Sequence, residues 1–143
     1  MAEANDNDPL ARAIGGLPMR SIGPALMGGR IADLAIHPSD TSTWYVGVGS
    51  GGVWKTENHG ITWTPLFDAE HSYSIGCVRI DPSRPEVVWV GTGEAVSGRH
   101  VAWGDGVYRS IDAGRSWTRM GLERSEHISD ILIDPRDGDT VYV

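Results

Sequence analysis

The stretch Ser110-Ile111-Asp112-Ala113-Gly114-Arg115-Ser116-Trp117 has an earlier counterpart in Thr56-Glu57-Asn58-His59-Gly60-Ile61-Thr62-Trp63. Both read hydroxyl, any residue, Asp or Asn, any residue, Gly, any residue, hydroxyl, Trp, and they lie 54 positions apart (112 − 58). The pattern describes a tight hairpin. Asp or Asn folds its side chain back onto backbone N–H groups, and Gly supplies the positive φ that other residues resist. The flanking hydroxyls tie the turn to its strands, and the Trp turns inward to pack. Val53-Trp54 and Val107-Tyr108 precede the two copies, and aromatic and β-branched residues of this kind favour strands.

Working outward, the same order of strands recurs. Ile31 to Ile36 is a strand, His37-Pro38-Ser39-Asp40 a turn, Trp44 to Val48 a strand, and Val53 to Thr56 a third that enters the first hairpin. Thr62 to Phe67 returns as the fourth. Ile75 to Pro82 matches Ile31 to Pro38 at an offset of 44 (82 − 38), and Val88 to Gly91 matches Trp44 to Gly47. The hairpin offset is ten longer (54 − 44), so an insertion lies between the second and third strands of this repeat, within Glu94 to Asp105. A third repeat opens with a strand at Ile128 to Ile133. Four-strand repeats of about 40–50 residues describe propeller blades.

The expected fold is therefore all-β: a partial β-propeller of about two and a half four-stranded antiparallel blades. Residues 1–20 form a polar leader ending in Gly15-Gly16-Leu17-Pro18. Residues 21–143 form an incomplete propeller, with blade 1 at about 30–68, blade 2 at about 74–122 and a third begun at about 127. Blades bury their faces against neighbours, so the chain is expected to be the N-terminal part of a larger protein, a truncated reading frame of marginal stability alone, whose partners include the remaining blades.

Composition narrows the function. A net charge of −7 argues against nucleic-acid and anionic-membrane partners, which need a basic face. No apolar run approaches the roughly 20 residues that span a bilayer. The acidic start Met1 to Asp8 is unlike a signal peptide. Cys77 is the one cysteine, and it is read as a small packed strand residue.

The paired motif resembles the Asp-box, or bacterial neuraminidase repeat, of β-propeller sialidases, xyloglucanases and sortilin-type receptors. Arg20-Ser21-Ile22-Gly23-Pro24, Gly28-Gly29-Arg30-Ile31, Ser50 to Thr56, Val90-Gly91-Thr92-Gly93-Glu94 and Trp103 to Ser110 resemble the start of large bacterial propellers called glycosyl hydrolase-like or sortilin N-terminal-like. Related proteins are often exported. The resemblance gives Thr56, Asn58, Gly60, Thr62 and Trp63, with Ser110, Asp112, Gly114, Ser116 and Trp117, a structural role. Similar xyloglucanases carry a catalytic Asp two positions before the pair that matches Gly51-Gly52, where this chain has Gly49. Sialidases need an arginine triad, and Arg30 alone stands at a comparable strand start.

The links between second and third strands share one end of the blades with the inter-blade links, and the paired hairpins lie at the other. A ligand site belongs with the richer loops. Arg30, His71, Arg99, His100, Trp103 and His127 are the candidate ligand-binding residues. Glu94 and Asp105, flanking the insertion, are the candidate pair of carboxylates for glycoside hydrolysis, with Glu70 and Glu126 nearby. Arg30, Ser74 and His127 are equivalent strand starts, as are Asp33, Cys77 and Asp130, and their polarity fits a wet central channel. His71, His100 and His127 follow no compact ligand spacing, so no metal or cofactor is expected. The expected function is a carbohydrate- or peptide-binding propeller segment, not catalytic alone; the alternative is part of an active glycoside hydrolase with its site on this face.

Overall fold

The structure, a computed structural model, describes residues 30–98 and 101–143. The expected leader, the motif from Arg20 to Gly29, and Arg99 and His100 lie outside the described residues. Among the described residues there are strands and turns but no helix. Strands β1 (Ile31–Ile36), β2 (Trp44–Val48), β3 (Gly52–Thr56) and β4 (Thr64–Pro65) form one antiparallel meander in that order. Strands β5 (Ile75–Ile80), β6 (Val88–Thr92), β7 (Val107–Ser110) and β8 (Thr118–Gly121) form a second, and β9 (Leu132–Asp134) pairs with β10 (Asp137–Tyr142). This is a partial β-propeller of two blades and the beginning of a third.

The repeat extends to its irregularities. β1 slips register between Ile31 and Asp33 against β2, and β5 slips at the equivalent place, between Ile75 and Cys77. A bulge increases the local twist and re-aims the side chains beside it.

Two strands are shorter than the sequence suggests. β4 covers Thr64–Pro65 and not the whole of Thr62 to Phe67. Pro65 has no N–H to give to the ladder, although Leu66 N–H still reaches Val53 O at 2.9 Å. β9 covers Leu132–Asp134 and not Ile128 to Ile133. Its register pairs Ile133 with Val141 and Leu132 with Tyr142.

Alternation along the strands puts one apolar face of each sheet against its neighbour. Tyr45, Val53 and Phe67 of blade 1 pack on Ile75, Val78, Val88, Val90 and Tyr108 of blade 2. Phe67 meets Tyr108 edge-on with centroids 5.0 Å apart, and Trp117 at 5.2 Å. On the far side of blade 2, Cys77, Trp89 and Val107 cluster with Ile128 and Ile131. Cys77 is thus a packed strand residue, and burial pushes its thiol up to about 11.

Candidate functional site

The two ends of the blades are built differently. At one end, the paired hairpins close in parallel ways. Thr56 Oγ1 accepts from Gly60 N–H at 2.9 Å, and Ser110 Oγ accepts from Gly114 N–H at 2.8 Å. Asn58 Oδ1 accepts from Thr62 N–H at 2.9 Å, and Asp112 Oδ1 from Ser116 N–H at 2.9 Å. Gly60 and Gly114 sit at φ of 85° and 88°, and the residues before them, His59 and Ala113, are also left-handed at 58° and 61°. Two consecutive left-handed residues reverse the chain within each turn.

At the other end, blade 1 turns from β2 to β3 through Gly49 to Gly51, while blade 2 makes the same connection through residues 93–106. Ser74 and Thr92 hold the root of this long loop. Ser74 Oγ donates to Ala102 O at 2.8 Å and accepts from Glu94 N–H at 3.2 Å. Thr92 Oγ1 accepts from Asp105 N–H at 2.8 Å and donates to Gly106 O at 2.7 Å. Ser74 is wholly buried, so it does not line a wet channel as its strand-start position suggested. Asp33 of β1 and Asp130, in the segment before β9, both pair with Arg79 of β5.

The two candidate acids are both engaged. Glu94 is only 2% exposed, contrary to the usual solvated loop carboxylate. Arg30 Nε donates to its Oε1 at 2.9 Å and Arg30 Nη2 to its Oε2 at 2.6 Å, a bidentate pair. This hydrogen bond, with the charge of Glu94, holds the Arg30 guanidinium above its ordinary pKa. Asp105 Oδ2 accepts from Tyr108 Oη at 2.6 Å, and Arg119 approaches it at 3.4 Å. Burial, then the bond to Asp105, pushes the Tyr108 hydroxyl well above its ordinary value.

Around these carboxylates the loops are exposed. Trp103 is 69% exposed on the long loop, and Tyr73 is 61% exposed on the inter-blade link. Ser72 Oγ reaches Trp103 O at 3.4 Å and Tyr73 O accepts from Gly52 N–H at 2.9 Å, so both aromatics stand on tied backbone. His71 and His127 are exposed on links at the same end. Tyr73 was not singled out in the sequence; its place on the inter-blade link, beside His71, was the available signal. Among the described residues no three His, Cys, Asp or Glu side chains gather to hold a metal ion.

No protein-family model matches the chain. Over 105 residues it is 34% identical to an oligoxyloglucan-reducing end-specific xyloglucanase of Emericella nidulans, covering 69% of this chain and 12% of that protein. The crystal structure of an ancestral GH74 enzyme superposes with a TM-score of 0.64 at 19% identity, covering 83% of this chain and 16% of that one. The GH74 xyloglucanase from Xanthomonas campestris gives 0.63 at 22% identity, over 85% of this chain and 19% of that one. The structural likeness is one of fold. The chain spans less than a fifth of the length of each of these three proteins.

Proposed function

We propose that this chain supplies part of the saccharide-binding face of a glycosyl hydrolase-like propeller, with the ligand lying across Tyr73 and Trp103. The observation that carries this reading is the pair of exposed aromatics on loops whose backbones are hydrogen-bonded in place. Flat aromatic faces with little conformational freedom bind the apolar faces of sugar rings at low entropic cost. The paired hairpins are Asp boxes with a scaffolding role, since their hydroxyls and carboxylate or amide are consumed within the turn. Glu94 and Asp105 serve as scaffold in the same sense, each held by a specific donor.

The likeness to a xyloglucanase favours a second reading, in which the whole protein hydrolyses a glucan and this face is part of its cleft. Gly49 weighs against a carboxylate supplied from the blade 1 turn. Calorimetric titration of the 143-residue chain with xyloglucan oligosaccharides separates the outcomes. Binding that falls roughly tenfold in Trp103→Ala and Tyr73→Ala supports the saccharide reading. Wild-type affinity in both variants, or binding of peptides alone, overturns it. Turnover by the intact protein that is lost in Glu94→Gln or Asp105→Asn, with the fold kept, establishes the hydrolase.

A further inference from the structure

Trp103 is 69% exposed, so its ring adds little to the packing of the blades. The backbone beneath it is nevertheless tied at each of residues 102, 103 and 104. Ala102 O accepts from Ser74 Oγ at 2.8 Å, and Gly104 N–H donates to Glu126 O at 2.8 Å. Between them, Ser72 Oγ shares its proton between Trp103 O and Ser74 O, both at 3.4 Å. Ser72 and Ser74 belong to the link that enters blade 2, and Glu126 to the link that leaves it. The root of the loop is equally constrained. A Cβ on Gly93 would lie 1.9 Å from Glu126 O, and one on Gly104 would lie 2.3 Å from the Thr92 carbonyl carbon. Glycine at both positions lets the two legs of the loop and the outgoing link cross closer than any side chain would permit.

Tyr73 stands between the two serines. Ser72 and Ser74 are buried while Tyr73 is exposed, so this segment turns its hydroxyls inward and its ring outward. The inward hydroxyls reach the carbonyls on either side of the Trp103 Cα, so the backbones that carry the two rings are joined by hydrogen bonds. Ser74 is wholly buried, and its hydroxyl gives its one proton to Ala102 O while accepting from Glu94 N–H. A ligand lying on the exposed rings cannot touch it. We propose that Ser74, assisted by Ser72, is the positioning residue of this face: it sets Trp103 relative to Tyr73 before a saccharide arrives, so that the two rings form one preset platform. Binding then pays no cost for ordering the loop. The inference rests on the saccharide-binding reading above.

In calorimetric titration with a xyloglucan oligosaccharide, Ser74→Ala should weaken binding about fivefold, and Ser72→Ala, which loses longer bonds, about twofold. Ser74→Ala introduced into a Trp103→Ala chain should cost nothing further, because the residue it positions is already gone. A role confined to stability would lower the melting temperature without altering affinity, or would alter affinity equally in both backgrounds; either result overturns the inference. If Ser74→Ala does not fold, the wild-type chain decides. Its Trp103 and Gly104 amides should show 15N order parameters of about 0.85 without ligand, unchanged when the oligosaccharide binds. Values below about 0.6 that rise on binding would mean that the ligand orders the loop, and would overturn the inference. Loss of affinity in Trp103→Ala with wild-type affinity in Ser74→Ala also overturns it while the saccharide reading stands. Wild-type affinity in both Trp103→Ala and Tyr73→Ala overturns the two together.

Discussion

The hairpin end and the loop end of these blades share the same strands and have diverged to different degrees. At the hairpin end, Thr56 to Trp63 and Ser110 to Trp117 repeat their hydrogen bonds almost atom for atom, in turns 54 positions apart. At the loop end, the three residues Gly49 to Gly51 in blade 1 correspond to residues 93–106 in blade 2. Repetition is kept where a turn must close two strands with its own side chains. It is abandoned where the connection need only start and finish at fixed strand ends, and a loop with that freedom can carry a site.

Even at the hairpin end one bond differs. Trp63 Nε1 donates to Gly60 O within its own turn at 3.0 Å, whereas Trp117 Nε1 crosses to Leu66 O of blade 1 at 2.8 Å. The same motif therefore closes a turn in one blade and joins two blades in the next. Tyr45 Oη adds a second crossing, donating to Ala113 O at 3.2 Å.

The contrast between a scaffold that carries stability and loops proposed to carry binding can be broken in several ways. The largest effect is expected at the blade junction. Phe67→Ala removes a buried ring held between Tyr108 and Trp117 and should cost about 3–5 kcal/mol in urea unfolding. A loss under about 1 kcal/mol would mean that the blades do not depend on this interface. Next comes the pair of indoles. Trp117→Phe should cost about 1–2 kcal/mol more than Trp63→Phe, because it unties a hydrogen bond between blades and leaves Leu66 O to find another partner. Equal losses would remove the distinction between the two hairpins.

The smallest effect separates Asn58 from Asp112. The Ser116 hydroxyl and N–H, with Ser110, hold the Asp112 carboxyl down at about 2. A folded value below the unfolded value of about 4 means that ionised Asp112 favours the native state. That contribution is complete above about pH 4 and is lost as the pH falls through about 2. Asn58 takes up no proton, so Asp112→Asn should flatten the part of the acid limb that wild type shows between those values. Unfolding midpoints measured across this range would show it, and an unchanged limb would remove Asp112 as its source.

Much of this architecture was legible in the sequence because it is local. The Asp/Asn–Gly spacing specifies a turn through side-chain to backbone bonds, and strand alternation specifies which face is buried. The left-handed Ala113 was not legible, since Ala has no preference for that conformation and the turn imposes it. Glu94 was visible as a carboxylate at a loop root, but its burial was not. Its cause is the absence of a side chain at Gly49 in another blade, and no local pattern records an empty volume 45 positions away (94 − 49). Asp105 is similar: its partner Tyr108 is near in sequence, but the bond depends on β7 turning that hydroxyl back toward the loop.

The claim that the ligand face is the loop end and not the hairpin end is tested most directly by the indole N–H resonances. The six tryptophans are distributed over the molecule, with Trp103 on the long loop and Trp63 and Trp117 at the hairpins. In a titration of the 15N-labelled chain with xyloglucan oligosaccharide, the Trp103 indole signal should shift progressively while those of Trp63 and Trp117 stay in place. Shifts at Trp63 and Trp117 with Trp103 unmoved would contradict the account.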